Sequence, residues 1–186
     1  MSRVGKKPII LPDGVSVNVS DDGVVSIQGP LGKLSQSLDP AISLKLDGKV
    51  VGLESQTDQS KHKSLHGLYR SLINNMVIGV SVGYVKDLDL FGVGYKASVQ
   101  GSLLELSLGY SHGIAFILPS EVTAVIEMSK DKNPMIRLKC IDKQLIGQVA
   151  AKIKSLRCSN PYTGQGIKGA NEVIRRKVRK STGGKK

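Results

Sequence analysis

The sequence predicts an α+β fold of two duplicated domains, each an antiparallel sheet covered on one face by a helix, with basic extensions at both ends of the chain. Three observations predict it. Short runs that alternate apolar and polar residues, punctuated by glycine turns, give way twice to a stretch with helical spacing. The order of strands and helix repeats at an offset of eighty positions. Charge gathers at the ends: the last thirty residues hold nine Lys or Arg against the single acid Glu172, a net +8 of the chain's +12. Arg3, Lys6 and Lys7 add three more, so residues 8–156 are close to neutral.

In chain order, residues 1–14 read as an extended basic arm closed by Pro8, Pro12 and the Asp13-Gly14 turn. Val15, Val17 and Val19 then alternate with polar residues, the mark of a strand with one buried face. A turn at Ser20-Asp21-Asp22-Gly23 leads back through Val24–Gln28, and Gly29-Pro30-Leu31-Gly32 turns again, since Pro fixes φ and Gly permits φ > 0. Leu34–Leu38, Ile42–Leu46 and Val50–Leu53 continue as strands, with Asp47-Gly48 as a hairpin turn. The period changes after Asp58, an expected N-cap. Leu65, Leu68, Tyr69, Leu72, Ile73 and Met76 recur at helical spacing, which predicts a helix over 59–75, and Gly79 is expected to stop it.

The second half repeats the order. Strands are expected at Val80–Leu90, Tyr95–Val99, Leu103–Leu108, Ile114–Leu118, Val122–Met128 and Met135–Cys140, then a helix over 143–156 behind Asp142 as N-cap. Adding eighty carries Gly29 to Gly109, Leu34 to Ile114, Leu38 to Leu118 and Ile42 to Val122. In the helices it carries Leu65 to Leu145, Gly67 to Gly147, Ile73 to Ile153 and Met76 to Leu156. The expected domains are therefore 1–81, 82–156 and a basic extension over 157–186.

Hydrophobic residues make up 40% of the 186-residue chain, but aromatics only 4%, and Trp is absent. The core must rest on Val, Ile and Leu, which suit half-buried strands. No apolar run approaches the roughly 18–20 residues that span a bilayer, and Ile9–Leu11 is too short for a signal-peptide core. Two cysteines, Cys140 and Cys158, form neither a disulfide framework nor a zinc set, which points to a reducing compartment.

Catalytic spacing is not found. Gly164-Gln165-Gly166-Ile167-Lys168-Gly169 spells GxGxxG, yet Asn160-Pro161-Tyr162 precedes it where a dinucleotide fold needs a strand. Phe91-Gly92-Val93-Gly94-Tyr95 reads as a turn or bulge between strands. His62 and His66 stand four apart on the helix, but no third ligand is suggested, and a solvent-facing or interface pair is the expectation. His112 reads as isolated in a Gly-rich turn. No catalytic residue, metal ligand, cofactor or small-molecule substrate is expected.

The tail is the informative stretch. Pro161 stiffens its entry, and Tyr162 offers a ring for stacking. Gly164, Gly166 and Gly169 permit close backbone approach, while Lys168 and Arg175-Arg176-Lys177 supply phosphate contacts. Such a segment is expected to lie outside both cores and to order on nucleic acid. Val173, Ile174 and Val178 are too few for the apolar face of a membrane-surface helix, so no membrane partner is expected.

These residues reach a known pattern. The basic arm with Pro8 and Pro12, Gln28–Gly32 (QGPLG), His66–Val80 (HGLYRSLINNMVIGV), Gly92–Ala97 (GVGYKA) and the NPYTGQGIK tail with Val173–Lys177 resemble the bacterial-type large-subunit ribosomal protein L-six family. The resemblance runs from Arg3 to about Lys180. It implies two duplicated α+β domains on large-subunit ribosomal RNA, held mainly through the second domain and tail, near the translation-factor site and the sarcin–ricin loop. Neighbouring large-subunit proteins would be partners, and the location would be the ribosome, in the cytoplasm or an organelle. The candidate RNA-contacting residues are Lys6, Lys7, Lys96, Arg157, Tyr162, Gly164, Gly166, Lys168, Arg175, Arg176, Lys177, Arg179 and Lys180. The chain departs from the family where Cys158-Ser159-Asn160 replaces Pro-Pro-Glu, and where Thr163 and Gln165 replace the usual lysines. Two rivals stand beside this reading: a free RNA- or DNA-binding module, and an enzyme using the glycine motifs as phosphate loops.

Overall fold

The structure is a computed structural model that describes residues 4–20, 23–55, 59–128 and 133–178. Arg3, Asp58, Arg179, Lys180, Lys185 and Lys186 lie outside the described residues. The chain divides into two units, one through Tyr84 together with Ile141–Lys143, the other formed by the remainder.

The first unit carries β1 (Ile9–Ile10), β2 (Ser16–Val19), β3 (Val24–Gly29), β4 (Gly32–Ser37), β5 (Ile42–Asp47), β6 (Val50–Ser55) and α1 (Ser60–Ser81). Its strands form two three-stranded sheets, in the orders β2-β3-β4 and β1-β6-β5. Alternation decides which faces turn inward: Val25 and Ile27 of β3, and Val51 and Leu53 of β6, point to the core. Ile73, Val77 and Val80 lie along one stripe of α1 and fill the same cluster. Each such side chain removed from water contributes roughly 1.5–3 kcal/mol. Gly29 lets the turn into β4 approach the end of α1, since a Cβ there would stand 2.7 Å from the Val80 carbonyl oxygen. The Leu31 N–H donates to that same oxygen at 3.1 Å.

Two expectations for this unit are corrected. The helix does not stop at 75 or at Gly79; it runs to Ser81. Gly79 is buried within it because a Cβ would collide with the backbone carbonyl of Ile141, so this glycine serves close approach. The stop falls on Gly83, with φ +80° and its N–H returned to the Ile78 carbonyl at 3.2 Å. The next strand accordingly starts at Tyr84, not Val80. Residues 9 and 10 are likewise not part of a free arm. They form β1, pairing Ile9 with Val51 and Ile10 with Val50, and Ile9 is buried.

The second unit carries β7 (Tyr84–Phe91), β8 (Lys96–Gln100), β9 (Leu103–Ser107), β10 (Ile114–Ile117), β11 (Thr123–Met128), β12 (Pro134–Cys140), α2 (Lys143–Leu156) and β13 (Gly166–Gly169). Its sheets run β8-β9-β10 and β11-β12-β7-β13. Ile146, Val149, Ala150 and Ile153 make the buried stripe of α2. Arg137 on β12 joins the flanking strands, with Nε donating to Asp87 at 3.0 Å and Nη1 to Glu127 at 2.7 Å. Those contacts hold its guanidinium above its ordinary pKa, Asp87 contributing most.

The two units correspond element by element. The meander β2-β3-β4 matches β8-β9-β10, and β1-β6-β5 matches β7-β12-β11, with α1 and α2 following β6 and β12. Eighty positions on from Ser16–Val19 lies 96–99, inside β8, and Ile73 and Ile153 are both fully buried. β1 is thus the counterpart of β7. β13 is an addition with no counterpart among the described elements of the first unit.

Candidate nucleic-acid interface

The tail folds back on the second unit. β13 runs antiparallel to β7, setting Ile167 opposite Leu90 and Lys168 opposite Asp89. Ile167 is fully buried, and its N–H donates to the Arg157 carbonyl at 2.9 Å. The expectation that the whole tail lies outside the cores is therefore wrong for residues 166–169. A buried β-branched residue on a paired strand supplies the order that nucleic acid was expected to supply.

The glycines explain how this is possible. Gly166 has φ +139°, and a Cβ there would sit 2.5 Å from the Ser159 Cα and 2.7 Å from the Cys158 carbonyl oxygen. Its close approach is to the chain's own backbone. Gly164 has φ +75° and donates its N–H to the Asn160 carbonyl at 2.7 Å. Asn160 also accepts the Tyr162 N–H on Oδ1 at 2.8 Å, the side-chain turn that asparagine favours. The Lys177 N–H reaches the Pro161 carbonyl at 2.9 Å, which bends residues 170–178 back over the 160–164 turn.

This path brings cations together. The Arg176 guanidinium lies against Gly164, where a Cβ would meet its Nε and Nη2 at 3.1 Å. Lys168 holds its ammonium 5.7 Å from the centroid of the Phe91 ring. Phe91, Gly164, Lys168, Arg176 and residues 170–174, Glu172 among them, line an open cavity of about 360 Å³. Glu172 is held by Lys154 of α2 at 2.6 Å and by the Gly169 N–H at 3.1 Å. Lys154 and then Gly169 keep its carboxyl below the ordinary glutamate range. Lys154 thereby compensates most of its negative charge, with Lys168 acting on it more weakly, so the cations around the cavity outnumber this one acid and can attract an anion. Tyr162, Arg175 and Lys177 are exposed beside them, as phosphate and base contacts require.

Other candidates lie elsewhere. Arg157 is half-buried, its guanidinium 4.6 Å from the centroid of the Tyr110 ring. Hydrogen bonds to Tyr110 first and Tyr95 second raise its pKa above the ordinary value. Lys96 is exposed on β8, and Lys6 and Lys7 are exposed in the first unit. Lys6 lines a cavity of about 540 Å³ with Lys45, Lys63 and His66, among others. The Arg70 Nε donates to the Lys7 carbonyl at 3.1 Å, fastening that stretch to α1.

The histidines depart from expectation. His66 is not solvent-facing; it is buried and donates to the Leu53 carbonyl at 2.9 Å. Eighty positions on stands buried Ile146, so His66 occupies a core position of the helix. His112 is not isolated either, since its ring stacks on Tyr110 at 5.8 Å between centroids and 17° between planes. Sequence reasoning missed Phe91 and Tyr110 as partners of the tail cations Lys168 and Arg157, and Lys154 as the partner of Glu172, because each pairing is distant along the chain. Among the described residues, no cluster of three His, Cys, Asp or Glu could hold a metal. No described helix is long and apolar enough to cross a membrane.

Comparison with known proteins adds the decisive observation. The family model described as ribosomal protein L6 matches residues 11–83 and again 91–170. The chain belongs to the ribosomal protein L6 family. Large ribosomal subunit protein uL6 of Amoebophilus asiaticus is 56% identical over 181 residues, covering 97% of this chain and 98% of the relative. The uL6 proteins of Cytophaga hutchinsonii and Porphyromonas gingivalis are 55% and 54% identical, covering 97% and 98% of this chain and 98% and 100% of the relatives. The two matched stretches of the L6 model fall one on each half of the internal repeat. The second extends to residue 170, past the end of β13, so the L6 pattern includes the strand that folds the tail back.

Proposed function

We propose that this protein is a structural, non-enzymatic constituent of the large ribosomal subunit and binds its ribosomal RNA. The observation that carries this is the similarity over nearly the whole chain to proteins named large ribosomal subunit protein uL6. The distribution of charge supports it. A nearly neutral pair of sheet-and-helix units presents its excess of cations on terminal segments, which suits a platform set among crowded phosphates.

The proposed contacts are Lys168, Arg175, Arg176 and Lys177 to phosphate, and Tyr162 to a base or ribose, around the turn stabilised by Gly164 and Gly166. Arg179 and Lys180 extend the basic stretch. Lys6, Lys7, Lys96 and Arg157 are proposed as additional contacts. The resemblance stated above supports a place near the translation-factor site and the sarcin–ricin loop, beside other large-subunit proteins in the ribosome of the cytoplasm. The proposed domain limits are 1–81, 82–156 and 157–186, the last serving as the RNA-binding extension although part of it joins the second unit's sheet.

Sedimentation of cell extract through a sucrose gradient tests the reading. The expected result is co-migration with large subunits and whole ribosomes after a high-salt wash. Recovery only at the top of the gradient would remove the ribosomal reading and leave a free nucleic-acid-binding module.

A further inference from the structure

The second unit carries a cluster around Tyr110 that the phosphate contacts of Lys168, Arg175, Arg176 and Lys177 do not use, and it gives the proposed contact Arg157 a specific setting. Tyr110 and His112 lie in the loop between β9 and β10, and Arg157 follows α2. The His112 ring stacks on Tyr110, and the Arg157 guanidinium lies 4.6 Å from the Tyr110 centroid. The Tyr110 Oη donates to the Leu156 carbonyl at 3.0 Å, which fixes the ring's direction. His112 is exposed, and Tyr110 keeps 40% of its surface in water.

A packing role does not account for this placement. The core at this end of the unit is already filled by Tyr95, which is 9% exposed. Gly92 and Gly109 close over that ring, where Cβ atoms would stand 2.7 Å and 3.4 Å from it. Aromatic side chains are scarce in the chain, with five Tyr, two Phe and no Trp. Yet here an exposed tyrosine, an exposed histidine and an arginine plane are assembled outside the core. Tyr, His and Arg are side-chain types on which proteins stack the splayed bases of single-stranded RNA. The Tyr110 hydrogen bond and the Arg157 contact hold the rings in place beforehand, so less freedom is lost when a base joins the stack.

We propose that Tyr110, His112 and Arg157 form a stacking site for an unpaired base of the ribosomal RNA, separate in its chemistry from the phosphate-binding tail; this rests on the ribosomal reading above. Stacking is sequence-tolerant and largely uncharged in origin, whereas phosphate contacts release counterions. The two kinds of contact therefore leave different signatures in a salt titration.

The test measures binding of the full-length protein to protein-free large-subunit rRNA across a salt series, for wild type, His112→Ala, His112→Phe and Tyr110→Leu. His112→Ala and Tyr110→Leu are expected to weaken binding by about five- to hundredfold. The plots of log affinity against log salt should shift down in parallel, their slopes unchanged. His112→Phe keeps a ring and should restore most of the loss. Chemical probing of the bound RNA should show one base protected by wild type and exposed with His112→Ala. Three outcomes overturn the proposal: unchanged affinity in His112→Ala, a loss that appears as a shallower salt slope, or a loss matched by a fall in thermal midpoint with no rescue by His112→Phe. A folded wild type that binds no rRNA would defeat the ribosomal reading itself, and the stacking site with it.

Discussion

Glu172 takes the Lys154 ammonium on both carboxylate oxygens, at 2.8 and 2.6 Å, and so ties the segment after β13 to α2. The same carboxylate accepts the Gly169 N–H. Because these contacts lower the folded-state pKa of Glu172, their stabilisation is complete above its unfolded value of about 4.3. It is lost as pH falls through the lower folded value. Both side chains are more than a third exposed, at 38% and 40%, so solvent screening limits the gain to about 1 kcal/mol or less. Glu172→Gln should therefore lower the thermal midpoint by no more than about 4 °C near neutral pH. Scanning calorimetry of both proteins down a pH series should show the gap closing in the acid range. A gap that persists or widens in acid would refute the clasp.

Gly166 and Gly164 should respond differently to alanine. At Gly166 the new Cβ meets fixed backbone at 2.5 Å while φ is +139°, so strain and overpacking act together. The expected loss is about 2–4 kcal/mol, seen in urea unfolding. At Gly164 the Cβ meets only the mobile end of Arg176 at 3.1 Å, and the cost is mainly that of a positive φ, about 1 kcal/mol. Equal losses at the two sites would show that the backbone packing of Gly166 has been misjudged.

The contrast between these glycines shows where sequence reasoning reaches its limit. Short-range patterns expose elements: apolar spacing predicts a helix over 143–156, and α2 spans Lys143–Leu156. The alternation around Val25 and Ile27 likewise becomes β3. What a glycine does depends on what comes to face it from afar. Gly79 resembles a helix stop but lies inside α1 against Ile141, and Gly166 resembles a ligand cradle but faces Cys158 and Ser159. β1 and β13 are two and four residues long, too short to show a period, and each becomes a strand only because a distant partner offers an edge. The candidate site behaves similarly. Its cations are legible as charge, but Phe91 beneath Lys168 and Tyr110 beside Arg157 have no local signal.

Replacing Arg175, Arg176 and Lys177 together by alanine should separate binding from stability. All three are exposed, so the unfolding free energy should change by no more than about 0.5 kcal/mol for each. If each touches a phosphate, the slope of log affinity against log salt should become shallower by about two to three. A filter-binding series on large-subunit rRNA at several salt concentrations measures both slope and intercept. An unchanged slope would remove these three residues from the interface.

Ile167 decides whether the tail is an appendage or part of the fold. It is fully buried on β13, whose other residues are two glycines, which contribute no side-chain packing of their own, and the half-buried Lys168. Nearly all of that strand's apolar burial therefore rests on this one residue. Ile167→Ala should cost about 2–5 kcal/mol, the sum of lost transfer energy and the cavity left behind. Since the Ile167 N–H turns away to Arg157, the β7 amides that face β13 are those of Asp89 and Phe91, and the loss should also speed their hydrogen exchange. An appendage would give neither effect: its truncation would leave the midpoint and the β7 amides unchanged. Native-state exchange on the Ile167→Ala variant distinguishes the two, because global destabilisation alone speeds only the slowest amides, whereas release of β13 acts first on β7.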